Sequence, residues 1–351
     1  MDRVLVAMSG GIDSSISAYL LQKEGYEVIG ITFVNYIENP DDPSELQFVN
    51  DAKLVADFLG IKHIVIDIQE DFKAIVEYFV KEYFNGRTPN PCVFCNPTIK
   101  WRVFVEHADL LGVNYIATGH YALKKYENGR YFISKGKDIT KDQSYFLYRL
   151  PQSYLQRTLF PLGQYTKDEI RRMAGDLGLH RLVQKRESYD VCFIKNQDYR
   201  DFLKKYAEKN NIEIKPGKIV DVNGNVVGRH DGLAFYTIGQ RRGLGVAMGY
   251  PAYVKDIDVQ NNTIVIAPRE ELAKNEITVK DWVLMKYEAL PEQGLKVQVK
   301  IRYRDNGTPA LIKPEGDIIR VYFSSPAYGI TPGQSAVFYE GDDVVGGGVI
   351  A

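Results

Sequence analysis

The sequence has few cysteines, no long apolar run and almost no net charge. Only three cysteines occur among 351 residues, and so small and odd a number argues against the disulfide framework of a secreted protein. No run approaches the roughly 20 apolar residues that a membrane span needs. The first residues, MDRVLVAMSGG, also leave no room for a signal peptide. We therefore expect a cytoplasmic protein with no membrane partner, whose thiols are reactive or metal-binding.

The near-zero net charge limits how the chain could bind nucleic acid. A formal charge of −1 gives no overall positive field, so such a contact would have to come from local basic clusters. With 45% hydrophobic and 25% charged residues, the composition is that of a folded chain rather than a disordered one. The length predicts two or three domains.

The first 210 residues alternate between strand and helix patterns. Short apolar runs are each followed by helical spacing, which predicts an α/β domain with a doubly wound parallel sheet and helices on both faces. The expected strands are Arg3–Met8, Glu27–Phe33, His63–Asp67, Tyr115–Thr118 and Tyr189–Ile194. The expected helices are Ser14–Lys23, Asp51–Leu59, Phe72–Tyr83, Ile99–Leu111, Lys167–Leu177 and Tyr199–Asn210.

Beyond residue 210 the helical pattern gives way to short strands and turns. The dipeptide Asn223-Gly224 is a strong hairpin signal, and evenly spaced strands separated by Pro and Gly are typical of a small barrel. We expect a first domain over residues 1–210, a small β-rich central domain over 211–274 and a C-terminal β-barrel over 275–351. The strands expected there are Lys218–Val222, Asn225–Val227, Ala252–Ile257, Thr263–Ala267, Thr278–Leu284, Lys296–Tyr303, Asp317–Phe323, Ser335–Tyr339 and Val344–Ile350.

A loop rich in glycine and serine joins the first strand to the first helix. In its sequence, SGGIDSS from Ser9, backbone N–H groups and hydroxyls can converge on an anion at the start of the helix. The Walker pattern and its phosphate-binding lysine are absent, which disfavours γ-phosphoryl transfer. A turn capped by Asp13, with no ligand, is the alternative interpretation.

Two of the cysteines, Cys92 and Cys95, form a CxxC pair in the segment TPNPCVFCN. Such a pair can lower a thiol pKa or present two metal ligands. A zinc site would need a fourth nitrogen or sulfur ligand beyond the three cysteines, and burial without chemistry is the usual alternative for a cysteine. The third cysteine, Cys192, lies far along the chain, so its part in any site depends on the fold.

Eight short motifs occur in an order that resembles the tRNA-specific 2-thiouridylase family. Five are SGGIDS, which is similar to the PP-loop of the ATP pyrophosphatase superfamily, TPNPCVFCN, ATGHYA at 117–122, KDQSYFL at 141–147 and VCFI at 191–194. The other three, YTIGQR at 236–241, RYR at 302–304 and PGQS at 332–335, extend the resemblance over nearly the whole chain. It implies that the first domain is a PP-loop domain of the adenine nucleotide α hydrolase-like fold.

The resemblance also implies a reaction, which is the ATP-dependent 2-thiolation of the wobble uridine, position 34, of tRNA. ATP and Mg²⁺ at the PP-loop would adenylate the base, and a persulfide on Cys192 would supply the sulfur. Cys95 would be the partner that forms a disulfide with Cys192 once sulfur has been delivered. The expected partners are the tRNAs for Lys, Glu and Gln and a sulfur donor such as a cysteine desulfurase or a relay protein.

Individual residues are assigned to ligands by the same resemblance. The residues expected to bind ATP are Ala7, Met8, Ser9, Gly10, Gly11, Ile12, Asp13, Ser14, Phe33 and Gly119. The residues expected to contact tRNA are Asn90, Pro91, Cys92, His120, Lys141, Asp142, Gln143, Arg302, Tyr303 and Gln334. Of these, the segment from Asn90 to Cys92 would lie next to the target base.

Other interpretations of the same residues stay open. Cys92, Cys95 and Cys192 could together bind an iron–sulfur cluster with one open iron, and some relatives carry Asp at the position of Cys92. The chain could also be a different PP-loop adenylating enzyme, or a tRNA-binding protein with a relic PP-loop and no catalysis. We favour the persulfide route because Cys95 and Cys192 suffice for it.

Overall fold

The described part of the chain, residues 1–185, 191–194 and 198–351 of the computed structural model, forms three sheets, with helices around the first. The strands are β1 (Arg3–Ala7), β2 (Glu27–Val34), β3 (Lys62–Asp67), β4 (Tyr115–Ala117), β5 (Ala122–Glu127), β6 (Arg130–Lys135), β7 (Thr158–Leu159), β8 (Gly217–Val220), β9 (Val226–His230), β10 (Ala252–Asp258), β11 (Thr263–Pro268), β12 (Ala273–Leu284), β13 (Leu295–Lys300), β14 (Thr308–Glu315), β15 (Ile318–Tyr328), β16 (Ser335–Glu340) and β17 (Asp343–Ile350). The α-helices are α1 (Ile12–Lys23), α2 (Gln47–Leu59), α3 (Gln69–Phe84), α4 (Pro91–Cys95), α5 (Trp101–Leu110), α6 (Gln152–Arg157), α7 (Lys167–Asp176), α8 (His180–Gln184) and α9 (Tyr199–Lys209).

The first sheet is parallel, with the strand order β3-β2-β1-β4-β7. Successive side chains of a strand point to opposite faces, and the central strand β1 uses both. Leu5 packs with Trp101 and Phe104 of α5 on one face, whereas Val4 and Val6 pack with residues of α1 on the other. Helices therefore cover both faces, which confirms the predicted doubly wound α/β fold.

The other two sheets follow in the chain. The second is four-stranded, with the order β10-β11-β8-β9. In the third, the order β12-β15-β14-β13-β16-β17 closes on itself because β12 also pairs with β17, which confirms the predicted C-terminal barrel. The hairpin β5–β6 belongs to the N-terminal part of the chain but extends this barrel sheet through a pairing of Ser134 with Asp343. The domain boundaries at residues 210 and 274 stay a prediction.

One predicted strand is wrong and others were missed. In the expected strand Tyr189–Ile194, residues 191–194 form a turn, in which the Ile194 N–H donates to the Val191 carbonyl at 2.8 Å; residues 189 and 190 lie outside the described part. The apolar residues of this segment are buried among α3 and α9 instead of in a sheet. The missed hairpin β5–β6 turns at Asn128-Gly129, whose positive φ angles of 50° and 79° are those that an Asn-Gly turn favours.

The helices of the described ranges carry no sign of a membrane span. None of them combines the length and the apolar character that crossing a bilayer requires.

Close packing of β17 on the first domain predicts the effect of one substitution. A Cβ added at Gly347 would lie 2.6 Å from the Ala336 carbonyl oxygen and 3.0 Å from the ring of Tyr148. We expect Gly347→Ala to lower the free energy of unfolding by about 1–3 kcal/mol, as overpacking does, measured by urea denaturation. Gly175→Ala is the matched control, because a Cβ there meets nothing within 4 Å. Equal stability of the two variants would contradict the packing described.

Candidate active site

The PP-loop is curled around the side chain of Ser14. Its hydroxyl accepts the Ser9 N–H at 3.1 Å and donates to the Gly11 carbonyl at 3.1 Å. Gly10 has a φ of +65°, and a Cβ there would lie 2.3 Å from the Phe48 carbonyl oxygen. Glycine is thus required at position 10 for both conformation and space, and the hydrogen bonds of Ser14 hold the loop in its curled shape.

The loop that follows β4 lies against the start of α1. Because β1 and β4 are paired neighbours, their carboxyl ends meet at one edge of the sheet, the usual place for a ligand in such folds. A Cβ at Gly119 would lie 2.9 Å from the backbone nitrogen of Ser14 and 3.0 Å from the carbonyl carbon of Asp13. Phe33, near the end of β2, is half-buried against Phe104. The expected ATP residues therefore share this edge.

Asp13, in the first turn of α1, is held by two side chains. The ammonium of Lys167 contacts both carboxylate oxygens at 2.7 Å, and the hydroxyl of Tyr121 donates to one of them at 2.7 Å. Lys167 is buried, so this ion pair joins α7 firmly to the PP-loop. The sequence analysis found Asp13 but not Lys167, which stands in no motif and looks there like an ordinary helix N-terminal lysine.

A second lysine also holds the PP-loop. The ammonium of Lys185 donates to the Gly10 carbonyl at 3.1 Å and to Asp51 at 2.8 Å. The loop is thus fixed on two sides by charged side chains that come from much later in the chain.

The CxxC pair lies in a short helix that the barrel holds in place. The side chain of Asn90 caps this helix, α4, by accepting the Val93 N–H at 3.4 Å. Gln334, from the barrel, donates to the carbonyls of Thr88 at 3.1 Å and Pro89 at 3.0 Å. The contact expected between Gln334 and tRNA is untested; what the side chain does here is anchor the cysteine loop.

The fold brings Cys192 to the CxxC pair. All three cysteines are free thiols: Cys95 is buried, Cys92 is half-buried and Cys192 reaches solvent. Asn35 donates its amide to the sulfur of Cys192 at 3.2 Å. Burial raises the pKa of Cys92 and of Cys95. Protein packed around the sulfur of Cys192, together with the neighbouring Cys92 and Cys95, raises its pKa to about 12, so the resting thiols are protonated.

The charge of Lys100 acts on this cluster. Its charge opposes the effect of burial and lowers the pKa of each of the three cysteines. Burial of the His120 imidazole, together with the charge of Lys100, lowers the pKa of His120 to about 3. His120 is therefore neutral at physiological pH. Lys100 lies in none of the sequence motifs, so it was not among the predicted site residues.

The remaining residues expected to contact tRNA differ in exposure. The carboxylate of Asp142 is buried and accepts the Ser144 hydroxyl at 2.8 Å, and Gln143 accepts the Tyr121 N–H at 3.0 Å. Both side chains make hydrogen bonds that hold their own loop, so we expect them to affect tRNA binding through the shape of that loop. Arg302 is exposed. The ring of Tyr303 is half-buried, and its centroid lies 4.7 Å from that of Phe146. Lys141 is half-buried and Pro91 is buried. These tRNA contacts stay predictions.

Comparisons with known proteins match the whole length of the chain. Family models match residues 2–196 (tRNA methyl transferase HUP domain), 200–268 (tRNA methyl transferase PRC-barrel domain) and 274–350 (aminomethyltransferase beta-barrel domain). The tRNA-specific 2-thiouridylase MnmA of Amoebophilus asiaticus is 49% identical over 99% of this chain and 95% of its own. That of Cytophaga hutchinsonii is 47% identical over 99% and 97%. The chain belongs to the tRNA-specific 2-thiouridylase family.

Solved structures outside the family are more distant. The U34-tRNA thiolase NcsA of Methanococcus maripaludis, described with its 4Fe-4S cluster, is 18% identical with a TM-score of 0.37, covering 60% of this chain and 67% of that one. A 4-thiouridine synthetase in complex with RNA and ATP is 18% identical with a TM-score of 0.39, covering 60% and 52%.

The contact of Gly119 with α1 predicts how ATP binding depends on a single methyl group. In Gly119→Ala, the new Cβ would push against the backbone of Asp13 and Ser14, which cannot move without opening the PP-loop. We expect ATP to bind about tenfold more weakly, a change of about 1.4 kcal/mol, measured by isothermal titration calorimetry. Gly175→Ala, far from any contact, should bind ATP as the unmodified protein does. Unchanged affinity in Gly119→Ala would show that the loop tolerates displacement.

Proposed function

We propose that this protein is a tRNA uridine 2-sulfurtransferase, which uses ATP to activate the wobble uridine at position 34 and sulfur carried on Cys192 to replace the C2 oxygen. The observation that carries the proposal is the position of Cys192. Asn35, which directly follows β2, donates to its sulfur at 3.2 Å, and the neighbouring Phe193 packs in one buried cluster with Cys95. His120 follows Gly119 directly, and its ring packs against Trp101, the first residue of α5, with ring centroids 5.6 Å apart. The nucleotide loop and the cysteine cluster are thus neighbours.

The activation step uses ATP as a substrate. The PP-loop from Ser9 to Ser14 would bind the pyrophosphate through backbone N–H groups, with Mg²⁺ offsetting its charge. The C2 oxygen of the uridine attacks the α-phosphorus; a new oxygen–phosphorus bond forms and the bond to pyrophosphate breaks. The C2 oxygen, a poor leaving group by itself, thereby becomes part of AMP, which the sulfur can displace.

The sulfur step requires two cysteines. The terminal sulfur of a Cys192 persulfide attacks C2, and AMP leaves with the bond to the old oxygen. The Cys95 thiolate then attacks the inner sulfur of Cys192. The bond between the two persulfide sulfurs breaks, and the terminal sulfur stays on the base. The products are 2-thiouridine and a Cys95–Cys192 disulfide. A dithiol reductant must supply two electrons to restore the thiols, and a sulfur donor such as a cysteine desulfurase or relay protein reloads Cys192.

Recognition of tRNA would involve the segments named by family resemblance. Asn90, Pro91 and Cys92 would lie beside the flipped base, because they begin the helix that also carries Cys95. The exposed guanidinium of Arg302 suits a phosphate or an anticodon base. We expect the tRNAs for Lys, Glu and Gln as substrates and the cytoplasm as the location.

The iron–sulfur alternative is less well supported by the arrangement of the thiols. Among the residues that the structure describes, no group of three His, Cys, Asp or Glu side chains is placed to hold one metal ion. A disulfide between Cys95 and Cys192 requires only two sulfurs to come together, whereas a cluster requires all three cysteines as ligands. Cys192 lies in the turn before α9. We therefore keep the persulfide route.

The cysteines allow the two routes to be separated by substitution. Cys192→Ala should abolish thiolation and Cys95→Ala should block it after activation, because each removes a sulfur that the transfer needs. Cys92→Asp should keep most of the activity, since Cys92 has no redox part in the persulfide route, whereas a cluster would lose a ligand. Thiolation is measured by mass spectrometry of digested tRNA, and activation by tRNA-dependent release of pyrophosphate.

The controls distinguish the remaining outcomes. All three variants should still bind tRNA and release pyrophosphate. A protein with a relic PP-loop would bind tRNA but release no pyrophosphate, even without substitution. Normal 2-thiouridine formation by Cys192→Ala would reject the assigned role, and loss of activity in Cys92→Asp together with stoichiometric iron in the unmodified protein would favour the cluster.

A further inference from the structure

The carbonyl oxygen of Gly10, in the PP-loop, is held by a lysine from much later in the chain. The ammonium of Lys185 donates to this oxygen at 3.1 Å and to the carboxylate of Asp51 at 2.8 Å. Asp51 lies on α2, and its side chain is only 5% exposed. Because a buried carboxylate needs a partner, this ion pair keeps the Lys185 ammonium next to Gly10.

Further contacts fix the position of Asp51 itself. Gln47 donates to one of its carboxylate oxygens at 2.8 Å, and the guanidinium of Arg181 lies 3.6 Å from the same oxygen. Burial by itself raises the pKa of Asp51, but the hydrogen bonds from Lys185 and Gln47 hold that pKa below its usual value. A Cβ at Gly10 would lie 2.9 Å from the Cβ of Asp51. The PP-loop and this charged carboxylate are therefore packed directly against each other.

The contact at the Gly10 carbonyl determines where the next N–H group points. The peptide bond between Gly10 and Gly11 is trans, so its carbonyl and its N–H point in opposite directions. Within residues 1–185, 191–194 and 198–351, no acceptor is bonded to the Gly11 N–H. Gly11 is the N-cap of α1, and N–H groups at a helix start are available to bind an anion.

We propose that Lys185 is a positioning residue for ATP: it holds the Gly10 carbonyl away from the nucleotide and thereby directs the Gly11 N–H at the phosphates. This inference rests on the proposed function, in which ATP binds at the PP-loop. The Lys185 ammonium lies on the carbonyl side of the peptide, so in this arrangement it acts through the backbone. Direct contact of the ammonium with phosphate is the alternative, and the experiments below distinguish the two.

Ligand binding gives the first measurement. In Lys185→Met, we expect ATP and inorganic pyrophosphate each to bind about tenfold more weakly, as for the loss of one hydrogen bond to a charged group. Isothermal titration calorimetry without tRNA measures both affinities, and Lys185→Arg should restore most of the loss. Arg181→Met is the matched control, because it removes another cation beside Asp51 but leaves the contact of Lys185 with Gly10 in place. It should bind ATP as the unmodified protein does.

Nuclear magnetic resonance tests the Gly10–Gly11 peptide directly. With carbon label at glycine carbonyls and nitrogen label at glycine amides, an HNCO spectrum shows only Gly–Gly peptides. The chain has three of them, one at 10–11 and two within 346–348. In the ligand-free protein, Lys185→Met should shift the signal of 10–11, because its carbonyl loses a donor, whereas Arg181→Met should not. The two signals from β17 should stay in place in every variant and report on folding.

A second variant covers the case in which Lys185→Met does not fold. Losing Lys185 leaves the buried charge of Asp51 without its closest cation, which is unfavourable. The double variant Lys185→Met/Asp51→Asn removes that charge at nearly constant shape, and the same weaker binding and the same shifted signal are expected of it.

The combination of the two measurements decides the proposal. Weaker pyrophosphate binding with a shifted signal of 10–11, both restored by Lys185→Arg, is the result that the proposal requires. Unchanged pyrophosphate affinity in Lys185→Met would overturn it. Weaker binding with an unshifted signal would also overturn it and would indicate direct contact of the ammonium with phosphate. Failure of the proposed function would be seen separately, because the unmodified protein would then bind neither ATP nor pyrophosphate.

Discussion

The site depends on the close approach of the loop after β4 to the first turn of α1. A Cβ at position 119 would lie only 2.9 Å from the Ser14 nitrogen, so glycine is the residue that allows the two backbones to come this close. This contact sets the position of His120, and through the adjacent packing of Trp101 against His120, with ring centroids 5.6 Å apart, the position of α5 and the cysteine loop before it. The nucleotide loop and the thiols are therefore placed by one chain of contacts.

Electrostatics then govern what the cluster can do. Burial raises the pKa of the three thiols, and the charge of Lys100 offsets only part of that effect. Resting cysteines that stay protonated do not react indiscriminately. In the proposed mechanism, the sulfur becomes reactive only after a donor has loaded it as a persulfide and ATP has activated the base. The barrel contributes by holding the cysteine loop through Gln334.

Much of the fold could be predicted from periodicity, whereas the site required the three-dimensional structure. The βαβ pattern and the Ser-Gly loop lie within short stretches of chain, so spacing alone revealed them. Lys167 belongs to no motif, and its importance comes from an ion pair to Asp13, 154 positions earlier in the chain. The wrong strand at 189–194 shows the reverse case: Phe193 and Ile194 are apolar because helices bury them, and periodicity does not distinguish that burial from a sheet.

The central claim is that Cys95 and Cys192 act as a pair on one transferred sulfur. Its most direct measurement is a single turnover with persulfide-loaded protein, adenylated tRNA and no reductant, followed by quenching with an alkylating reagent and non-reducing peptide mapping. The account predicts one Cys95–Cys192 linked peptide pair for each 2-thiouridine formed. Stoichiometric 2-thiouridine with both cysteines recovered as free thiols would contradict it.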